Sequence, residues 1–228
     1  MKSQFTEQLA NLEKLVIEMG SLVEKQVNDV IVSLINRDEA LAKTVIENDK
    51  KVDLLEVTID EEVLNILALH QPVAFDLRDI IGISKINGDL ERISDHAQNI
   101  AESAKFIVKN NYQGTLGVIP KMSEVVQAML KDAIDSFIHK DVDMALSVCK
   151  RDDEIDKMNK HLFADILANM IKDPNTIPMS LELIRISKNL ERIADLCTNI
   201  SEDVVFIRNA KSIKHAREQE ELKKNISG

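Results

Sequence analysis

The sequence predicts an all-α protein built as two tandem three-helix bundles related by an internal pseudo-two-fold axis. Three observations carry that expectation. Residues 85–102, KINGDLERISDHAQNIAE, realign on residues 185–202, RISKNLERIADLCTNISE, with 9 of 18 positions identical at a shift of 100. Chance supplies about one identity at typical residue frequencies, and a period this long makes each copy domain-sized rather than a solenoid unit. Apolar residues recur in steps of 4 and 3 at positions 5, 9, 12, 16, 19, 23, 27, 30 and 34, the stripe of an amphipathic helix and not of a strand. Finally, 3% aromatic residues, 30% charged residues, six Gly and four Pro are typical of long helices and leave little punctuation for a strand-rich fold.

The elements follow in order. The first stripe carries one helix from Phe5 to about Asn36. Asp38 is placed to cap a second helix, whose pattern runs through Leu41, Val45, Val52 and Leu55 to about Leu69. His70-Gln71-Pro72 interrupts it, since the residue before Pro avoids helical geometry and Pro suits a first turn, so a third helix is expected from about Val73 to Asn110. The segment Asn110 to Gly117 is the richest in turn formers and separates the halves. The second half repeats the plan: one helix from about Ile119, a break near Lys140-Asp141, another to about Ile171, and a last from about Thr176 to Ala210. Expected domains are therefore 1–113 and 114–210, with a charged C-terminal tail over 211–228. In the first two helices of each half the internal shift is 103, pairing Asp38 with Asp141 and Asp49 with Asp152; it becomes 100 after the second loop.

Lys and Arg number 29 against 39 Asp and Glu, a net charge of −10. That balance works against a polyanionic partner such as nucleic acid, which is held by Lys and Arg. No apolar run approaches the roughly 18 residues a membrane span needs, and no signal-peptide core follows Met1; a cytoplasmic protein without direct membrane insertion is expected. Cys149 and Cys197 lack metal or redox spacing and read as reduced core residues. The Met residues and the equivalent pair Phe106 and Phe206 read as core packing.

Acidic stripes are the candidate site. Glu91, Asp95, Asn99 and Glu102 are spaced 4, 4 and 3, one helix face, and Glu191, Asp195, Asn199 and Glu202 repeat them. The second helix carries Asp49, Asp53, Glu56 and Asp60, answered in the fifth by Asp152, Asp156 and Asn159. Like charges at i,i+4 are unfavourable by roughly 0.2–0.5 kcal/mol per pair, so something positive belongs over them. The candidates are the protein's own Lys and Arg, for example Arg78, Lys85, Arg92 and Arg192, a metal, or simply the solvent over a hydrated face. Carboxylates without His or Cys suit hard cations, Mg, Ca, Mn or oxidised iron, and not structural zinc. A di-iron bundle would need Glu-x-x-His pairs, and none of the five His residues has Glu three positions before it. His96 turns away from the stripe and reads as a partly buried or surface residue. There is no phosphate-cradling loop, nucleophile elbow or HExxH helix, so no organic cofactor and no catalytic seat is expected.

Gln71-Pro72-Val73-Ala74 followed by Asp76-Leu77-Arg78, then Leu90-Glu91-Arg92-Ile93-Ser94-Asp95 and Leu190-Glu191-Arg192-Ile193-Ala194-Asp195, closely resemble the PhoU family of phosphate-signalling proteins, over nearly the whole chain. The resemblance implies two three-helix bundles, often assembled as dimers or higher oligomers. It implies E/D-x-x-x-D motifs that hold iron clusters or other metal ions, here Asp49 with Asp53, Glu91 with Asp95, Asp152 with Asp156, and Glu191 with Asp195. It also implies a non-enzymatic adaptor that joins the ATPase subunit of the phosphate ABC transporter to a membrane sensor histidine kinase, recruited to the inner face of the membrane. Such a protein restrains phosphate uptake and phosphate-responsive gene expression when phosphate is plentiful. Two departures stand out. The second half has no counterpart of the QPVAFDLR segment, and Phe163 and Asn159 replace Asp60 and Glu56, so the first half is expected to hold metal at least as well as the second. The alternative reading is a metal-storage or metal-dependent hydrolytic bundle.

Overall fold

A computed structural model describes residues 4–210 and 213; the expected tail, 211–228, otherwise lies outside the described residues. The described residues form six α-helices: α1 Gln4–Asn36, α2 Glu39–His70, α3 Ala74–Lys109, α4 Ile119–His139, α5 Val142–Lys172 and α6 Ile177–Asn209. A single 3₁₀ turn, Pro174–Thr176, precedes α6. At 1.5 Å per residue the 33 residues of α1 extend about 50 Å.

The helix ends are set by short-range chemistry that the repeat copies. Asp38 Oδ1 accepts from Leu41 N at 3.0 Å, and Asp141 Oδ1 from Met144 N at 3.0 Å. The residue before each cap is left-handed, Arg37 at φ 58° and Lys140 at φ 57°. This lets Asp38 N reach Ser33 O and Asp141 N reach Ser136 O, both at 2.9 Å. These are the long-reach bonds that satisfy the last carbonyls of a helix ending in a left-handed residue.

The third corner differs. In the first half Gln71 is left-handed and Val73 extended, so Pro72 lies in the corner and not in the first turn of α3, where sequence reasoning places it. In the second half Asp173 caps the tight Pro174–Thr176 turn by accepting from Asn175 N at 3.0 Å. The three residues by which the internal shift changes are missing from the start of the last helix, since α3 has 36 residues and α6 has 33 while their C-terminal ends stay in register.

Within each half the three helices pack on one another, and the halves join along α3 against α6 and α1 against α4. The α3–α6 pair is antiparallel: Lys85 meets Asp203, His96 meets Asn189, and Arg185 meets Glu102. Gly82 makes room there, since a Cβ on it would fall 2.4 Å from Ile207. One continuous apolar core results, with Met19, Val23, Leu90, Ile93 and Ile100 in the first half and Met122, Val126, Leu190, Ile193 and Ile200 at the matching places of the second. α2 and α5 flank this centre, each touching only helices of its own half.

Some single-residue expectations need correction. Cys197 is buried but Cys149 is only half-buried, because it is one position round the helix from the buried Val148. Phe106 is exposed, and its equivalent Phe206 is half-buried beneath the Lys85 ammonium, 5.1 Å from the ring centroid. No described helix is long and apolar enough to cross a membrane.

Candidate functional site

The helical period brings the acidic residues of α2 and α3 onto one outward face of the first half. Asp49 lies deepest, 8% exposed, where Ser94 Oγ donates to its Oδ1 at 2.6 Å. Burial pushes its carboxyl up, Ser94 opposes this, and Asp53 and Asp95 add to it. Asp53 and Asp95 are exposed beside it, and Glu56 and Glu91 are half-buried. Glu91 is the most perturbed: burial, then the charges of Asp95, Glu56, Asp53 and Asp49, push its carboxyl from 4.5 up to about 7. Glu56 is raised by the same kind of causes, burial first, then Asp60, Asp53 and Asp95. Beneath them the buried Asn87 donates its Nδ2 to Glu56 O and to Asp60 Oδ1, both at 3.1 Å, while its Oδ1 has no partner among the described residues.

The cations that sequence reasoning offers as cover point elsewhere. Arg92 bonds to Asp89 at 3.4 Å and Lys85 to Asp203 at 3.4 Å, and Arg78 stacks over Phe75. Among the described residues no Lys or Arg forms an ion pair with Asp53, Glu56, Glu91 or Asp95. Burial first, and then like charges held close, favour the protonated form, which is why the Glu91 carboxyl is pushed up.

The second half is built differently on the same frame. Lys188 pairs with Glu191, Arg192 with Asp195 at 3.2 Å, and Lys160 with Asp156 at 3.9 Å. Asn159, in place of Glu56, donates to Glu191 Oε2 at 3.1 Å and accepts from Ser187 Oγ at 2.9 Å. Asp195 is still raised, by burial and Glu191, but Arg192 opposes the shift. Asp152 lines a cavity of about 310 Å³ with Arg92, His96, Arg192 and Asp195. Of the sequence's candidate cations, only Arg192 serves its acidic face. Lys160 and Lys188 were missed, although Asp156-to-Lys160 and Lys188-to-Glu191 spacings of four and three residues are a legible signal.

The donor sets bear on a metal ion unequally. The first-half oxygens and their uncompensated charge fit a hard cation. On the second half Asp156, Glu191 and Asp195 already face Lys160, Lys188 and Arg192, so less uncompensated charge is left there for an ion. Among the described residues no group of three or more His, Cys, Asp or Glu side chains is placed as a ready-made metal cage, so an ion at the first face requires side-chain rotation about the exposed carboxylates.

Comparison with known proteins agrees with the duplicated architecture. The PhoU domain pattern matches twice, over residues 16–104 and 119–204. The chain is 35% identical to the phosphate-specific transport system accessory protein PhoU of Serratia marcescens, over 94% of this chain and 88% of that one. It is 34% identical to the Escherichia coli protein of the same name, over 100% and 94%. The crystal structure of PhoU from Pseudomonas aeruginosa superposes with a TM-score of 0.89 at 38% identity, covering 91% of this chain and 100% of that one. That of the phosphate transport system regulatory protein PhoU from Streptococcus pneumoniae does so at 0.84 and 28%, covering 92% and 99%. With two matching domains and relatives of this identity over nearly its whole length, the chain belongs to the PhoU family.

Proposed function

We propose that this protein is an accessory regulator of phosphate-specific transport that restrains phosphate uptake and phosphate-responsive gene expression when phosphate is plentiful. It acts by protein contact, as a non-enzymatic, cytoplasmic adaptor between the transporter's ATPase subunit and a sensor histidine kinase, and it works as a homodimer. The observation that carries this reading is the pair of PhoU domains filling a chain whose relatives are named phosphate-specific transport accessory proteins. The geometry is that of a binding scaffold: long helices present broad faces, and the half-buried Glu56 and Glu91 with the exposed Asp53 and Asp95 stand on one of them.

A hard cation belongs to the same reading. Glu91 and Asp95 from α3 with Asp53 and Glu56 from α2 would hold it, and it would supply the positive charge that face lacks. Iron, manganese, magnesium and calcium all suit this donor set.

The test is made in the cells this protein comes from. Deleting its gene raises phosphate uptake and the output of phosphate-responsive genes in abundant phosphate, and the tagged protein recovers the transporter ATPase and the kinase. Unchanged output on deletion, in cells shown to express both partners, would overturn the proposal.

A further inference from the structure

The acidic face of the first half also carries apolar residues that nothing in the fold explains. Val57 and Leu64 on α2 are 55% and 66% exposed, and Leu77 and Ile81 on α3 are 39% and 37% exposed. At 100° per residue Val57 and Leu64 lie within about 60° of Asp53 and Asp60, and Leu77 and Ile81 within about 40° of Asp95. Apolar and acidic residues therefore share one surface, apolar toward the α2–α3 corner and acidic toward the middle. Exposed apolar patches rimmed by charge mark contact sites.

Gly88 supplies an independent sign. It sits in the interior of α3 on this same face, between Ile81 and Asp95. A glycine there disfavours the helix relative to alanine. Gly82, six residues earlier, is explained by Ile207 lying against it, but a Cβ built on Gly88 meets nothing within 4 Å. No intramolecular packing requires the glycine, and its equivalent in the second half is Lys188. A bare backbone in the middle of a face is what lets another backbone approach closely. The α3 cations nearest to it, Lys85 and Arg92, are turned to Asp203 and Asp89, so the surface offered at Gly88 is apolar and negative.

We infer that the α2–α3 face of the first half is a docking site for a basic amphipathic helix of a partner protein, which crosses α3 at Gly88. Its apolar side covers Val57, Leu64 and Ile81, and in the metal-free protein its flanking Lys or Arg residues meet Asp53, Asp60 and Asp95, so a bound cation and the partner helix compete for Asp53 and Asp95. Charge complementarity selects this occupant over a second copy, because two copies meeting through this face would oppose two uncompensated acidic surfaces. The inference rests on the adaptor reading only for what the partner does; the geometry of docking stands apart from phosphate regulation.

The probe is a designed helical peptide of about 18 residues, five turns, with leucines on one side and lysines along both edges. Its binding to the purified full-length, metal-free protein is measured by fluorescence anisotropy at about 0.15 M salt. Saturable one-to-one binding is expected. Gly88→Leu should weaken it at least about tenfold without lowering the melting temperature, because its side chain enters open space. Leu64→Ser should weaken it similarly, and Lys188→Leu, the same change on the second half, should leave it intact. Equal loss from Gly88→Leu and Lys188→Leu, or binding indifferent to both, would reduce the effect to general charge attraction and overturn the assignment. A protein dimer seen by light scattering and broken by Gly88→Leu would make a second copy the occupant, also overturning it. Failure here with intact phosphate regulation in cells leaves the adaptor reading standing, and the reverse result separates the two in the other direction.

Discussion

The acidic faces of the two halves share a backbone frame and differ in how their charge is treated. Asp49, Asp53, Glu91 and Asp95 recur as Asp152, Asp156, Glu191 and Asp195. On the second half Lys160, Lys188 and Arg192 pair with three of these carboxylates, and Asn159 replaces a fourth acid with a neutral donor. On the first half Glu56 keeps the charge and Gly88 stands where Lys188 would. The two copies therefore share a helical frame, and among the described residues one pairs three of its carboxylates with its own cations while the other leaves Asp53, Glu56, Glu91 and Asp95 without such a pair.

The largest expected effect probes an asymmetry of packing. α4 begins at the counterpart of Val16 in α1, so the first turns of α1, with Leu12 buried and Gln8 bonded to His70 at 2.6 Å, have no equivalent. Leu12→Ala should cost about 2–5 kcal/mol, read by urea denaturation, and no substitution in α4 reproduces its location. A change under about 1 kcal/mol would show that the α1 extension is not part of the core.

The next effect distinguishes the faces by sign. Folded Glu91 holds its proton up to about pH 7 whereas an ordinary Glu releases it near 4.5. Between those values the folded state binds more protons, so the stability Glu91 contributes is full below about pH 4.5 and is lost as pH rises through about 7. Allowing for partial exposure, Glu91→Gln should stabilise the metal-free protein at pH 8 by about 1 kcal/mol, roughly 2–4 °C in melting temperature, and flatten its pH dependence. Glu191→Gln should instead destabilise by about 0.5 kcal/mol, since it breaks the Lys188 pair. Thermal melts at several pH values decide the matter, and equal signs would remove the contrast between halves.

The smallest contrast is expected where the halves agree. Asp38→Ala and Asp141→Ala remove identical caps, and each should cost about 1 kcal/mol. Unequal costs beyond about 0.5 kcal/mol would mean the corners are less alike than their geometry.

Much of this was legible in the residues themselves. Apolar steps of 3 and 4 locate the helices because core burial follows the 3.6 period, and Asp38 and Asp141 mark their own boundaries through the backbone N–H groups they satisfy. The acidic pairs are legible because i,i+4 places them on one face. Which cation answers them is not, since Arg78, Lys85 and Arg92 are as near in sequence as Lys188 yet turn to Phe75, Asp203 and Asp89. Long side chains choose among partners brought close only by tertiary packing. The open space over Gly88 is invisible for the same reason: only the folded neighbours distinguish it from the filled space over Gly82.

The most direct test of the central claim is the metal content of three purified forms, the wild type, Glu91→Gln with Asp95→Asn, and Glu191→Gln with Asp195→Asn, each equilibrated with ferric or manganous ion and then desalted. The first double substitution is expected to remove the bound metal while the second leaves it near the wild-type level, all three forms retaining their helix content. Equal loss from both, or metal that survives the first and disappears with the second, would contradict it.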